Sequence, residues 1–166
     1  RVQNRGEPPL GGTFLGRDGR KTGPPFKKAL TMFDTKIAII IRDDLATWQK
    51  LNVTAFLMSG ITGANPGIVG KTYQDRGGKR HLAMSLQPVI VLAGTANVLT
   101  NIRNRANETG VDTVAYIEEM FSTGHDDANR AVFAEHDATE ANEVGIALRA
   151  DKKIVDKITK GARMHG

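Results

Sequence analysis

Five apolar residues in a row, Ile37-Ala-Ile-Ile-Ile41, constrain this chain more than any other feature in it. Four of the five are β-branched, and the run is bounded by Lys36 and by Arg42-Asp43-Asp44. An apolar run without polar alternation is the pattern of a strand buried on both faces, so other elements must cover it from both sides. The two aspartates end the run, and Asp44 stands where an N-cap would accept from the first free N–H groups of a following helix. That helix, predicted over residues 45–62, is apolar nearly all round. Trp48, Leu51, Ala55 and Met58 form one side and Val53, Phe56, Leu57 and Gly60 another, with Asn52, Thr54 and Ser59 as interruptions. Two apolar sides predict one face on the sheet and a second against another surface, such as a partner subunit.

The rest of the chain repeats the alternation of strand and helix. Residues 68–74 read as a short edge strand between turns at 63–67 and 75–78. Residues 88–93 read as a second buried strand, opened by Pro88, which has no N–H to donate. Gly94-Thr95 leads into a helix with Leu99, Ile102 and Ala106 aligned, Thr95 as N-cap and Gly110 closing it in the left-handed conformation. Residues 111–118 form a third strand, and the strand–helix–strand unit predicts two parallel neighbours joined by a right-handed crossover. A loop over 120–127 precedes a short helix to 135 with Ala128, Ala131 and Val132 inward, then a polar loop. Val144, Ile146 and Leu148 mark a fourth main strand. A last helix over 151–160 buries Ile154, Val155 and Ile158, with Gly161 after it. The expected fold is α/β: a three-layer α/β/α sandwich with a mixed, mostly parallel sheet of four to five strands.

A length of 166 residues predicts one domain with a core of its own, preceded by a tail. Residues 1–31 hold four of the six prolines, six of the eighteen glycines, and seven Lys or Arg against two acidic residues. The whole formal excess of +5 therefore sits in the tail, and the body, with 16 residues of each sign, is neutral. Sparse apolar residues without period predict that 1–31 is disordered. It reads either as a basic arm for nucleic acid or a membrane surface or, the preferred reading, as a non-native extension, since Met32 stands directly before the first strand. The single domain is then 32–166. A neutral body gives no electrostatic reason to expect nucleic acid as its partner. Cys is absent, which removes thiol catalysis and fits a reducing compartment. No apolar run approaches the ~20 residues of a membrane span. A cytoplasmic location without membrane attachment is expected.

Several motifs bear on chemistry. Gly67-Ile-Val-Gly70-Lys71-Thr72 resembles the end of a phosphate-binding loop, but position 65 is Asn where that loop needs Gly, and a helix precedes it where a strand is required. Nucleotide hydrolysis is not expected. His81, His125, His136 and His165 show no metal-ligand spacing, so neither a metal nor another cofactor is expected, and His136 and His165 read as solvated. Ser59 and Ser122 lie in no Gly-x-Ser-x-Gly elbow. In His125-Asp126-Asp127 the imidazole reads as an acid or base, or one of the aspartates reads as a helix cap. Asp43, Asp44 and Lys50 follow the first strand, and Glu118, Glu119, Thr123 and His125 follow the third. Ligands gather at the carboxyl ends of strands in open sheets, so these groups converge on one crevice if the two strands are adjacent.

The C-terminal wording is more specific. Val144-Gly-Ile-Ala-Leu148 followed by Ile154-Val-Asp-Lys-Ile-Thr-Lys-Gly161 resembles the closing strand and helix of type II peptidyl-tRNA hydrolases, and residues 39–45 resemble that fold's opening strand and Arg-x-Asp-Leu turn. The body from Met32, with Trp48-Gln-Lys-Leu-Asn-Val-Thr-Ala-Phe56, is similar to a family of uncharacterised bacterial proteins, domain of unknown function 2000, assigned to that fold. The resemblance implies a peptidyl-tRNA hydrolase II-like domain. Within it Asp44 matches the opening Asp, Glu119 falls near the acidic residue after the third strand, and Thr123 falls near the Thr that follows. The hydrolases' lysine-rich helix start is replaced by Trp48-Gln-Lys-Leu51, leaving Lys50, and their short loop before the last strand by residues 125–142. Phosphate contacts dominate tRNA affinity, so loss of the lysines argues against tRNA as substrate.

Two functions follow as expectations. The first is hydrolysis of a small ester or amide by Asp44, Lys50, Asn52, Glu119, Thr123 and His125, with Glu119 or His125 as base and Asn52, Thr123 or Lys50 polarising the carbonyl. The alternative is a non-catalytic module that binds a small molecule or assembles as a homodimer through its first helix.

Overall fold

The structure, a computed structural model, describes residues 33–137 and 139–166. The expectation for the tail of residues 1–31 lies outside the described residues, as does Met32. Seven strands are described: β1 (Thr35–Arg42), β2 (Tyr73–Gln74), β3 (Arg80–His81), β4 (Val89–Gly94), β5 (Thr113–Ile117), β6 (Glu143–Asp151) and β7 (Arg163–Met164). Four α-helices accompany them: α1 (Thr47–Ala64), α2 (Ala96–Thr109), α3 (Asp126–Phe133) and α4 (Lys152–Ile158).

Five strands form one mixed sheet in the order β5-β6-β1-β4-β7, and the run Ile37 to Ile41 occupies its middle strand. Ile39 sits opposite Val91 of β4 on one side and Ala147 of β6 on the other. The expectation of a mostly parallel sheet is corrected. Only β1 and β4 are parallel neighbours; β6 runs antiparallel to both β1 and β5, and β7 antiparallel to β4. A continuous apolar run reports burial on both faces and carries no sign of strand direction. The strand–helix–strand unit keeps its direction but loses its adjacency. β4 and β5 point the same way, but β1 and β6 lie between them, so α2 leads the chain back across two strands.

The core follows the two-residue period of β1. Ile37, Ile39 and Ile41 pack with Val53, Leu57 and Ile61 of α1, while Ala38 and Ile40 pack with Leu99 and Ile102 of α2 and Val155 and Ile158 of α4. Each buried Ile contributes roughly 1.5–3 kcal/mol of transfer free energy. α1 approaches its sheet closely at two glycines. A Cβ on Gly145 of β6 would stand 2.8 Å from Leu57 Cδ1, and one on Gly60 of α1 would stand 2.7 Å from Val114 Cγ1.

Local expectations are met unevenly. Thr95 caps α2 by accepting from Val98 N–H, and Gly110 closes that helix at φ 65°. Asp44 does not cap α1. The N-cap is Ala46, whose own N–H donates to Gln49 Oε1 at 3.0 Å, and the Asp44 carboxylate turns back to Arg42. The edge strand expected over 68–74 is instead a 3-10 turn at Pro66–Ile68 followed by β2, which pairs with β3 outside the main sheet. Ile154, expected in the core, is 40% exposed, and α3 has no buried residue. No described helix is long and apolar enough to cross a membrane.

Candidate functional site

α1 buries only the stripe Val53, Leu57 and Ile61. Met58 is partly buried against the core, but three large apolar side chains of the helix stay open: Trp48 is 62%, Leu51 68% and Phe56 51% exposed. The second apolar side of the helix is therefore present and uncovered among the described residues. Beside it the chain leaves β5 in a 3-10 turn, Glu118–Ser122, then runs through Thr123 and Gly124 into α3. The hollow between α1, β5, this turn and α3 is a two-part cleft.

The larger part has a volume of about 670 Å³ and a mostly apolar lining that includes Phe56, Leu57, Gly60, Val114 and Phe133, with Asp126 and Arg130 as its charged members. The mouth, about 320 Å³, joins it along Phe56, Tyr116, Met120, Asp126 and Asn129. Aromatic rings form its floor in a chain of contacts. Trp48 meets Phe121 edge to face at 5.8 Å, Phe121 meets Tyr116 at 5.3 Å, and Tyr116 meets Phe56 at 5.8 Å. Burial pushes the Tyr116 phenol up from its ordinary value, so it stays protonated at neutral pH.

Three of the six predicted site residues meet here. Asn52 of α1, Thr123 and His125 all line the mouth. Thr123 Oγ1 donates to Met120 O at 2.8 Å and also contacts Asn129 Oδ1. His125 is the N-cap of α3: its Nδ1 accepts from Ala128 N–H at 3.3 Å. The cap expected at Asp126 or Asp127 is thus the imidazole itself. With Nδ1 occupied as an acceptor, the neutral ring carries its proton on Nε2 and offers a donor to the mouth.

The other three do not line the cleft, so the six do not form one constellation. Asp44 is held by Arg42, whose Nε donates to Oδ1 at 2.6 Å. Lys50 donates to Asp43 O at 2.8 Å and lines a separate hollow of about 410 Å³ with Thr47, Thr54, Val91 and His165. Glu119 turns toward the loop after α3, its Oε1 3.7 Å from His136 Nε2 and its Oε2 buried without a hydrogen-bond partner among the described residues. That contact also corrects the expectation that His136 is solvated.

The expected convergence of the first and third strand ends survives in altered form. β1 and β5 are separated by β6, yet Arg42 spans the gap. Its Nη1 donates to Glu118 Oε2 at 2.7 Å and to Asn142 Oδ1 at 3.2 Å. The Arg42 hydrogen bond holds the Glu118 carboxyl below its ordinary value, outweighing the desolvation that pushes it up. A second ion pair, Arg103 with Glu143 at 2.8 Å, is nearly closed to solvent and anchors the loop before β6 through Arg103 bonds to Thr139 O and Ala141 O. Among the described residues no group of three His, Cys, Asp or Glu stands close enough to hold a metal ion.

Sequence reasoning missed Phe56, Tyr116, Phe121 and Asn129 as cleft residues. The available signal was scarcity: with nine aromatic residues in 166, each large ring is a candidate for a shared purpose.

A family profile described as "Protein of unknown function (DUF2000)" matches residues 35–166. The chain is similar to a solved structure of a protein of unknown function, Atu0240 from Agrobacterium tumefaciens str. C58. The two are 56% identical, the likeness covers 81% of this chain and 100% of that one, and the TM-score is 0.80. No curated protein matches the chain.

Proposed function

The chain belongs to the DUF2000 family of proteins of unknown function, and within that family we propose that it binds a small organic molecule in the cleft between α1 and α3. The observation that carries this is the continuity of the two hollows. They share Phe56, Tyr116, Met120, Asp126 and Asn129, one end being apolar and the other supplied with donors from Asn52 and His125. Such a division suits a ligand with an apolar body and a polar head, and pockets with a few convergent polar groups are the usual places for one. A thermal-shift screen of small amphiphiles tests this. Ligands should raise Tm for the native chain and lose that effect in Ser59→Phe, which fills the groove from an exposed position. If no compound raises Tm at millimolar concentration, the cleft is not a binding site.

Hydrolysis of a small ester or amide is the narrower form of this proposal. It would rest on His125 Nε2 and Asn52 at the mouth, because Asp44, Lys50 and Glu119 stand elsewhere. Turnover of model esters, lost in His125→Ala, would support it. We also propose that α1 on one face, with α2 and α4 on the other, makes the protein a three-layer α/β/α sandwich akin to type II peptidyl-tRNA hydrolases, acting in the bacterial cytoplasm. Transfer-RNA is left out of the proposed substrates, since Trp48-Gln-Lys-Leu51 retains one lysine.

A second reading is homodimerisation through α1, favoured by the exposure of Trp48 and Leu51. Patches of large exposed side chains on a folded domain are common at subunit contacts. Light scattering during size exclusion tests it. A monomeric mass at high concentration would remove it.

A further inference from the structure

The chain has nine aromatic side chains, and four of them, Trp48, Phe56, Tyr116 and Phe121, line the mouth of the cleft. Their ring contacts run unbroken from Trp48 through Phe121 and Tyr116 to Phe56. Apolar packing alone explains Tyr116, which is buried, but leaves the indole and Phe56 more than half open to solvent. An aromatic ring presents a negative quadrupole on its faces, and exposed rings grouped at a hollow attract a cation held above them.

The segment that forms the mouth is acidic, although of its four carboxylates only Asp126 lines the cleft, together with its partner Arg130. The segment 118–127, which supplies Met120, Phe121, Thr123 and His125 to the mouth, holds Glu118, Glu119, Asp126 and Asp127 and no Lys or Arg. Glu118 is paired with Arg42, and Asp126 with Arg130 at 2.7 Å. Among the described residues, Glu119 and Asp127 pair with neither Lys nor Arg. The body as a whole is neutral, so the acidity of this segment is local and not a general property of the surface. Opposing this, Asn52 and His125 Nε2 supply donors that an anionic head group would use, which makes an anion the competing occupant.

We infer that the ligand's head group is an organic cation, a quaternary alkylammonium seated against the exposed rings of Trp48 and Phe56 and the half-buried ring of Phe121, with its apolar chain in the larger hollow beside Leu57, Val114 and Phe133. The inference rests on the proposed ligand-binding cleft and names the class of ligand it takes. A quaternary alkylammonium has no N–H group and so makes no demand on the Thr123 hydroxyl, which is already engaged with Met120 and Asn129.

Trp48 is the only tryptophan, so the full chain carries its own reporter at the site. Fluorescence of Trp48 is titrated with hexyltrimethylammonium, with 1-hexanol and with hexanoate, three probes that share a six-carbon tail. The cation should saturate at a concentration roughly tenfold lower than either of the others. Phe121→Leu keeps an apolar side chain but removes the ring face. It should weaken the cation about tenfold and hexanol by a much smaller factor, with the circular dichroism melt confirming that the variant folds. Equal affinities for cation and alcohol, or tighter binding of hexanoate, would overturn the cationic assignment while leaving the cleft as a binding site. No saturable response to any of the three would remove the cleft reading together with this inference.

Discussion

Arg42 at the end of β1 and Glu118 at the end of β5 meet at 2.7 Å although β6 runs between their strands. The guanidinium, almost fully buried, reaches past the start of β6, where Asn142 accepts from it and donates to the same Glu118 oxygen at 2.9 Å. Three chain segments are thereby fixed at the end of the sheet that adjoins the cleft turn.

This pairing makes stability depend on acid in a stated direction. The Glu118 carboxyl is held below its ordinary value by Arg42, so its contribution is fully present above the unfolded-state value and is lost as pH falls through the lower folded-state value. Chemical denaturation from pH 7 down to pH 3 should show a loss in the native chain that is smaller in Glu118→Gln. Equal acid limbs for the two proteins would assign that loss to other carboxylates.

The buried pair Arg103–Glu143 should behave oppositely on single and double substitution. Its side chains are 9% and 4% exposed. Glu143→Ala leaves a guanidinium without its partner in a dry site and should cost about 3–5 kcal/mol by denaturant melts. Replacing both with apolar residues of similar size, Arg103→Met with Glu143→Leu, should recover most of that loss.

Gly145 should tolerate no side chain. Its α-carbon faces Val53 and Leu57, so Gly145→Ala forces α1 away from β6 and should destabilise by roughly 1–3 kcal/mol. Gly63→Ala is the control. Nothing stands within 4 Å of the added carbon there, so Gly63→Ala, in the last turn of α1, should leave stability unchanged or slightly raised.

The N-terminus of α3 depends on His125. His125→Ala removes the acceptor for Ala128 N–H and should cost about 1 kcal/mol, read as faster hydrogen exchange over residues 126–130. His125→Asn should restore protection, because Asn is a good N-cap. The pair of variants separates the imidazole's structural contribution from any part it takes in ligand binding.

What was legible in the chain followed from burial and local chemistry. The central place of Ile37 to Ile41, the Thr95 cap and the Gly110 stop each depend on residues within a turn or two, and each was readable. Strand direction was not, because a run buried on both faces looks the same whichever way it points. The site was half legible for a related reason. Thr123 and His125 were placed together from a strand end and Asn52 only as a group to polarise a carbonyl, whereas Asp44 and Glu119 went to partners, Arg42 and His136, that only the fold brings within reach. The aromatic floor joins residues 48, 56, 116 and 121, and no period links them.

The central strand also sets when this protein can finish folding. β1 is among the first segments of the body to be made, yet its partner β6 comes more than a hundred positions later. Until that late segment leaves the ribosome, one edge of β1 has no strand to pair with, and Ile37 to Ile41 remain a sticky template for other chains. Such long-range closure is slow and exposed to aggregation. Chains truncated before residue 143 should therefore accumulate as insoluble material, and chaperones that hold apolar strands should matter more to the yield of this protein than its modest size suggests.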